Sequence, residues 1–332
     1  MQFFVKNLIL MLFNSNLDVM IMQNLPLIIT SIILSFVSVK TIQSYFLKND
    51  ILDSINPRSS HSVTATRSGG IALASSLVLI SIFYYLNNNE IFEFSLLVPL
   101  VLMVIVGLYD DIYNVDFKLK FIFQVIAAKI IIDNGLILDN LHGIFGIYEL
   151  SSMYAQLISI FIIVSIINSF NFIDGIDGLA SAITILFIIM FEYFSKYPTP
   201  FIYISIIIIC SLIPVIINNY NKNNKVFLGD SGSLFLGTLI SIYIMHILSN
   251  SYIIQKQFDV NKILYVLGIY AYPTIDFIRV IVMRLIKGKS PFQADKKHIH
   301  HNLITNGMSH LTAVCLILIS SILLMLIIQL IF

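Results

Sequence analysis

Four short stretches of the chain hold side chains that can do chemistry, and each borders an apolar run. In Gly107–Asn114, GLYDDIYN, Asp110 and Asp111 stand side by side at the end of such a run. Two adjacent carboxylates repel unless a cation or a donor intervenes, so the pair suits a metal, a general base or a proton relay. A helix-ending acidic pair facing water is the plainer alternative. In Val164–Ala180, VSIINSFNFIDGIDGLA, an apolar helix acquires Asn168, Asn171, Asp174 and Asp177 at intervals of three, with Gly175 and Gly178 among them. That spacing keeps neighbours on one side of a helix, drifting by about 60° per step. The glycines let the backbone turn and leave room for a close approach.

Val226–Gly237, VFLGDSGSLFLG, sets Asp230 between Gly229 and Ser231-Gly232-Ser233 at the start of another apolar run. Asp230 can cap that helix or bind magnesium, a hard ion that takes one or two protein oxygens and completes its shell with phosphate and water. The Gly/Ser turn, Gly229 included, offers backbone N–H groups to phosphate oxygens. Asp295–Leu303, DKKHIHHNL, packs His298, His300 and His301 together with two lysines. No cysteine accompanies them, and the spacing lacks the i, i+4 pair of a helical zinc site. A basic set facing phosphates suits this stretch better than a tract for incidental metal. Further upstream, Asp53–Gly70 carries Arg58, His61 and Arg67. It also reads as a juxtamembrane basic loop drawn to anionic lipid.

The elements that must position these groups are membrane helices. The chain of 332 residues is 58% hydrophobic and 11% charged, which excludes a soluble globule. Its formal charge of +1 gives no reason to expect nucleic acid as a partner. Cys210 and Cys315 each lie within an apolar run and read as small core residues. With no Trp, Tyr must supply the interfacial aromatic belt. Residues 1–22 hold one short apolar patch and make a poor signal peptide, so they read as an N-terminal extension ahead of a single multi-pass domain, 23–332. Ten apolar spans are predicted, at 25–47, 70–86, 94–109, 119–133, 153–171, 179–195, 200–219, 231–248, 263–283 and 311–331, or eleven if the N-terminus contributes. The fold class is an all-α integral membrane protein. Within the spans, Lys129 and Asp133 are spaced to pair, and so are Asp276 and Arg279, although an intramembrane acid also suggests a functional site.

Loops after odd-numbered spans hold twelve Lys and Arg residues, and the N-terminus and the other loops hold four. The positive-inside rule then makes the odd loops cytoplasmic and puts both termini outside. Every dense polar cluster falls in or beside an odd loop. The expectation is one cleft on the cytoplasmic face of the plasma (inner) membrane, assembled from five loops.

In order, GLYDDIYN, NSFNFIDGIDGLA, VFLGDSGS and ADKKHIHHNL resemble the polyprenyl-phosphate N-acetylhexosamine-1-phosphate transferases, the membrane glycosyltransferase family 4 that also contains the peptidoglycan lipid-I translocase. NPRSSHSVTATRSGGIA and YPTIDFIRV with KGKSPFQADKKHIHH look like its bacterial O-antigen and teichoic-acid-initiating branch. The resemblance spans about residues 50–305. It implies transfer of a sugar 1-phosphate from a UDP-N-acetylhexosamine to undecaprenyl or a related polyprenyl phosphate, with release of UMP. It implies magnesium, with manganese as a substitute, bound by Asp230 and Asn171. Asp174 and Asp177 would contact the nucleotide-sugar, and Phe227 would stack near uracil. Asp110 and Asp111 would handle the lipid phosphate, with Asp110 as the base, and His298, His300 and His301 would bind phosphate. Where the family carries prolines this chain has Thr64 and Thr66, and Tyr220–Asn224 replaces an Asn-x-Pro-Pro-Ala-like run. The asparagine that holds the nucleotide is then Asn219, Asn221 or absent.

Physical chemistry agrees with that reaction. One phosphoanhydride is exchanged for another, so catalysis is mainly in-line positioning and neutralisation of charge. Arg58, Lys118, Lys120 and the histidines would offset a donor and an acceptor that are both anionic. A homodimer is compatible with this reading. Two other classes remain as alternatives: a secondary transporter, which predicts mid-span ionisable residues and inverted repeats, and a catalytically inactive homologue acting as a lipid-binding or assembly partner.

Overall fold

The computed structural model describes residues 15–53, 65–89, 91–141, 146–195, 199–221, 223–249, 262–288 and 297–331. Twelve helices carry the described chain: α1 (Ser15–Lys48), α2 (Gly69–Leu86), α3 (Leu97–Tyr113), α4 (Phe117–Asp133), α5 (Ser152–Ile173), α6 (Leu179–Phe194), α7 (Ile202–Asn219), α8 (Gly229–Leu248), α9 (Lys262–Ile269), α10 (Ala271–Ile286), α11 (Ile299–Thr305) and α12 (His310–Ile331). The protein is an all-α integral membrane protein, and all ten expected stretches are helical. Seven helices, namely α1 from Gln23, α2, α3 with the 3-10 turn before it, α5, α7, α8 and α12, are long and apolar enough to cross a bilayer. α4 and α6 are shorter, 17 and 16 residues. Outward-facing Phe161 and Ile286 are 72% and 79% exposed, as lipid contact requires.

The bundle is built around α8. Every residue from Ser231 to Met245 is buried, as expected of a helix that is apolar or small on all sides. α2, α3 and α5 pack directly on it. Small residues make this crossing possible. A Cβ on Gly70 of α2 would lie 2.1 Å from the Gly232 nitrogen, and one on Gly107 of α3 would lie 2.4 Å from the Asp230 carbonyl oxygen. Each polar motif thus brings its own glycine to the contact.

A two-stranded parallel pair fixes the start of α8 beside the start of α2. β1 (Ala65–Thr66) pairs with β2 (Lys225–Val226), Ala65 opposite Lys225 and Thr66 opposite Val226. The ladder runs on through Phe227 N–H to Thr66 O at 2.8 Å, Gly69 N–H to Phe227 O at 2.9 Å and Gly70 N–H to Leu228 O at 2.8 Å. Backbone groups at the two helix entries thereby satisfy one another, which the low-dielectric surroundings demand.

Two expectations need correction. The span predicted at 263–283 is not one helix: α9 and α10 meet at Tyr270 with a bend of 87°. Pro273 explains the break, because in a continuous helix its ring would clash with the carbonyl of Ile269 and it has no N–H to donate. Cys315, read as a core residue, is exposed on α12, while Cys210 is buried. The apolar run around Cys315 faces outward on that side of the helix.

Candidate active site

Asp110 and Asp111 close α3, and they do different things. Asp111, with a side chain only 1% exposed, accepts the backbone N–H of Asp230 at 2.9 Å and of Ser231 at 3.0 Å. It is a helix cap supplied from another helix, and the first turn of α8 is held by it. Such a cap contributes about 1–2 kcal/mol. Gly229 lies at φ +73°, and a Cβ there would approach Asp111 Oδ2 to 2.7 Å, so the turn into α8 requires glycine. Asp110 accepts the Val115 N–H through Oδ1 at 2.7 Å. Its Oδ2 meets Lys120 Nζ at 2.5 Å, and the same ammonium reaches Asp230 Oδ2 at 3.0 Å. Lys120 therefore bridges the carboxylates of two motifs that are far apart in sequence. Arg67, from the segment joining β1 to α2, pairs with Asp53 at 2.7 Å and stands 3.5 Å from Asp111. Burial opposes its charge, but Asp53, Asp111 and Asp230 together hold its pKa above the ordinary arginine value.

The asparagine and aspartate motif leaves α5 at the same end. Asn168 is buried and exchanges hydrogen bonds with Gln124, at 2.7 and 3.3 Å. Asn171, one turn on, donates from Nδ2 to Ser233 Oγ at 2.9 Å, which leaves its Oδ1 turned to no donor among the described residues. Asp174 ends the helix as its C-cap. Among the described residues it has no hydrogen-bond or ion-pair partner. Burial, with Asp230, Asp111 and Asp177 nearby, pushes its pKa well above the usual carboxylate range. Asp177 behaves oppositely. Burial would raise it, but His310 Nδ1 at 2.8 Å and Lys225 Nζ at 2.7 Å hold it below its ordinary value. Lys225 also lies 5.1 Å from the centre of the Phe227 ring, within cation–π range.

Of the two asparagine candidates beyond α7, Asn219 faces inward. Its Nδ2 donates to Val226 O at 2.9 Å and its buried Oδ1 has no partner among the described residues. Asn221 instead accepts local N–H groups from Asn223 and Asn224 in its own turn.

The histidines close the site from the other side. His300 is fully buried, with Nδ1 3.0 Å from the Tyr272 hydroxyl and Nε2 unpartnered among the described residues. Burial, then the neighbouring His301 and His298, push its pKa down to about 3. A Cβ on Gly175 would lie 2.6 Å from His300 Nε2 and 2.9 Å from His301 Nε2. The histidine stretch thus rests directly on the turn between Asp174 and Asp177. His298 lies against Phe172, ring centres 5.4 Å apart, and stacks on His300 at 5.5 Å.

Asp110, Asp111, Asn171, Asp174, Asp177, Phe227, Gly229, Asp230 and the three histidines therefore gather at one end of the bundle. Lys120 joins them and Lys118 does not: its side chain is exposed and has no partner among the described residues. Arg58 lies outside the described residues. The sequence offers Asp276 as an intramembrane acid and Arg67 within a basic stretch, without a role for either, and it does not single out Lys225, His310 or Tyr272. Arg67 had a signal, a basic residue immediately before the Gly69-Gly70 helix start. Lys225 and His310 had none, because each becomes relevant only through a partner far away in the chain.

The glycosyl transferase family 4 model matches residues 93–248, the stretch that carries every acidic motif described above. Over its length the chain is similar to the decaprenyl-phosphate N-acetylglucosaminephosphotransferase of Mycolicibacterium smegmatis, 26% identical across 78% of this chain and 70% of that protein. It is also similar to the probable undecaprenyl-phosphate N-acetylglucosaminyl 1-phosphate transferase of Bacillus subtilis, 28% identical across 87% of this chain and 79% of that one. A shorter likeness, 35% over 120 residues, covers 35% of this chain and 31% of the undecaprenyl-phosphate alpha-N-acetylglucosaminyl 1-phosphate transferase of Yersinia pestis. Its ordered motifs, its helical membrane fold and these relatives all agree with the similarity to glycosyl transferase family 4 that the match over residues 93–248 records.

Proposed function

We propose that the protein transfers an N-acetylhexosamine 1-phosphate from a UDP-sugar to a membrane polyprenyl phosphate of the undecaprenyl type. A phosphate oxygen of the lipid forms a bond to the sugar-bearing phosphorus. The anhydride bond to the nucleoside phosphate breaks, and UMP leaves. The lipid product begins a cell-envelope glycan. The observation that carries this reading is Lys120 held between Asp110 and Asp230, at the end of the bundle where the Asp174–Asp177 turn meets the histidines. A cation placed there can neutralise two anionic reactants brought together, which is what phosphoryl transfer needs most. The lipid phosphate has a second pKa near 6 and is largely ionised at neutral pH. Both Asp110 oxygens are already engaged, by Val115 N–H and Lys120, so Asp110 orients the lysine better than it would remove a proton.

The donor set fits magnesium. Among the described residues, the four carboxylates Asp110, Asp111, Asp174 and Asp230 are offset chiefly by Lys120 and Arg67, and Asp174 has no donor of its own. Asp230 would hold the ion, joined by Asn171 Oδ1 or Asp174. One or two protein oxygens are all such an ion commonly takes, so no closed cage of ligands is needed. When bound, magnesium supplies charge neutralisation at the diphosphate. Phe227, with Lys225 over its ring, would stack on the base, and the histidines would meet phosphate. A UDP-sugar carries charge and does not cross a bilayer, so this end of the bundle faces the cytoplasm, in keeping with the basic residues of the odd loops.

The test is to incubate membranes carrying the protein with magnesium, undecaprenyl phosphate and a panel of UDP-N-acetylhexosamines, scoring UMP release and a lipid-linked product. Asp230→Ala and Asp111→Asn are assayed alongside. Absence of product with every donor, where a related enzyme works, would end the enzymatic reading. Full activity in both variants would end the site assignment.

A further inference from the structure

Asp276 lies in the bent helix pair, outside the four motifs in sequence, and is completely buried. Its carboxylate is aimed at the histidine stretch. Oδ2 meets His298 Nδ1 at 2.7 Å, and Oδ1 accepts the Ile299 N–H at 3.0 Å and Arg279 Nη2 at 2.8 Å. Arg279 Nη2 also donates to the carbonyl of Lys297 at 2.5 Å. One acid and one guanidinium thus grip the backbone on both sides of His298 and the ring itself.

We infer that Asp276 is a positioning residue for His298: it accepts the proton on Nδ1 and so leaves Nε2 as the atom presented to substrate phosphate. This rests on the transferase reading for the identity of the substrate, but its physical content does not. A buried carboxylate is expensive, and pairing with Arg279 three residues along the same helix would satisfy it without involving a histidine. A carboxylate on the far nitrogen of an imidazole fixes both its tautomer and its ring plane. His298 also stacks on His300 and contacts Phe172, so a ring fixed by Asp276 is fixed relative to the Asn171–Asp177 turn. The three histidines are therefore not equivalent. His298 is aimed by an acid, while His300 is buried against the Tyr272 hydroxyl.

The test uses the full chain, purified, as parent, Asp276→Asn, His298→Gln and the double variant. UMP release from UDP-N-acetylglucosamine with undecaprenyl phosphate and magnesium is measured as kcat and KM. Asp276→Asn is expected to lower kcat by about 10- to 100-fold, the scale seen when the carboxylate behind a metal-bound histidine is lost, with KM for the donor nearly unchanged. The double variant should be no worse than the poorer single one. A parental kcat in Asp276→Asn, or losses that multiply in the double variant, would overturn the assignment. Histidine 15N spectra of the same proteins read the tautomer whether or not the chain turns over. The resonance that disappears in His298→Gln should report protonated Nδ1 in the parent. Protonation of Nε2 alone would overturn the inference, even if Asp276→Asn fails to fold. No UMP with any UDP-sugar, combined with protonated Nδ1 in the parent, would count against the substrate and support the positioning.

Discussion

Lys120 and Lys118 are two residues apart, yet only Lys120 reaches the clustered carboxylates among the described residues. It joins Asp110 to Asp230 and is partly buried, whereas Lys118 is exposed. Lys120→Met should reduce UMP release by about 10²- to 10³-fold, the scale of losing one preorganised charge-stabilising group. Lys118→Ala should stay within about twofold, as expected of a solvated surface charge. Equal losses in both would mean that the loop acts only through its overall charge. At the same scale, His300 makes stability depend on pH. Its folded pKa is about 3, against about 6.5 unfolded. Between those values the unfolded chain binds the extra proton, so His300 lowers stability as pH falls below about 6.5 and has no effect above it. The limiting slope is about 1.4 kcal/mol per pH unit. Thermal midpoints of the solubilised chain, read at pH 7.5, 6.5 and 5.5, should fall more steeply for the parent than for His300→Gln. Parallel curves would show that His300 does not stay neutral in the fold.

At the scale of elements, the site depends on how closely three helices approach. α8 touches α2 and α3 through glycines, and a Cβ on Gly70 would sit 2.1 Å from the Gly232 nitrogen. Backbone cannot yield there as a flexible side chain would. Gly70→Ala should therefore separate α2 from α8, cost about 1–3 kcal/mol or more, and loosen the cap from Asp111. The measurements are thermal midpoint and UMP release, and both should fall together; an active variant with the parental midpoint would show that the crossing has slack. The helices themselves were legible because apolar runs bounded by polar loops follow from bilayer thickness. The break at Tyr270 is signalled by Pro273 but does not show in hydropathy, which carries no record of a lost backbone donor. The role of Asp111 was hidden for another reason. A cap offered by one helix to another is a contact in space, and the chain between them is more than a hundred residues long.

For the whole molecule, the clustering of polar groups at one end was legible from loop parity, since five stretches that must avoid lipid were found on one side. Which residues pair across that end was not, because Lys120, Lys225 and His310 are ordinary charges until the bundle brings each to its acid. Orientation in the membrane is the remaining large-scale property, and it can be checked directly. α2 starts at the site end and finishes at Leu86, so the turn at residues 87–89 lies at the opposite end from Lys118, which follows α3 back. With Cys210 and Cys315 replaced by alanine, Asn89→Cys and Lys118→Cys each leave one thiol at an exposed position. In intact cells a membrane-impermeant maleimide should label Asn89→Cys and spare Lys118→Cys. Inverted vesicles should give the reverse. The cytoplasm is where a charged nucleotide-sugar is available, so labelling of Lys118→Cys from outside would place the site away from its donor. The orientation and the choice of UDP-sugar would then fall together, while the geometry of Lys120, Asp110 and Asp230 would stand.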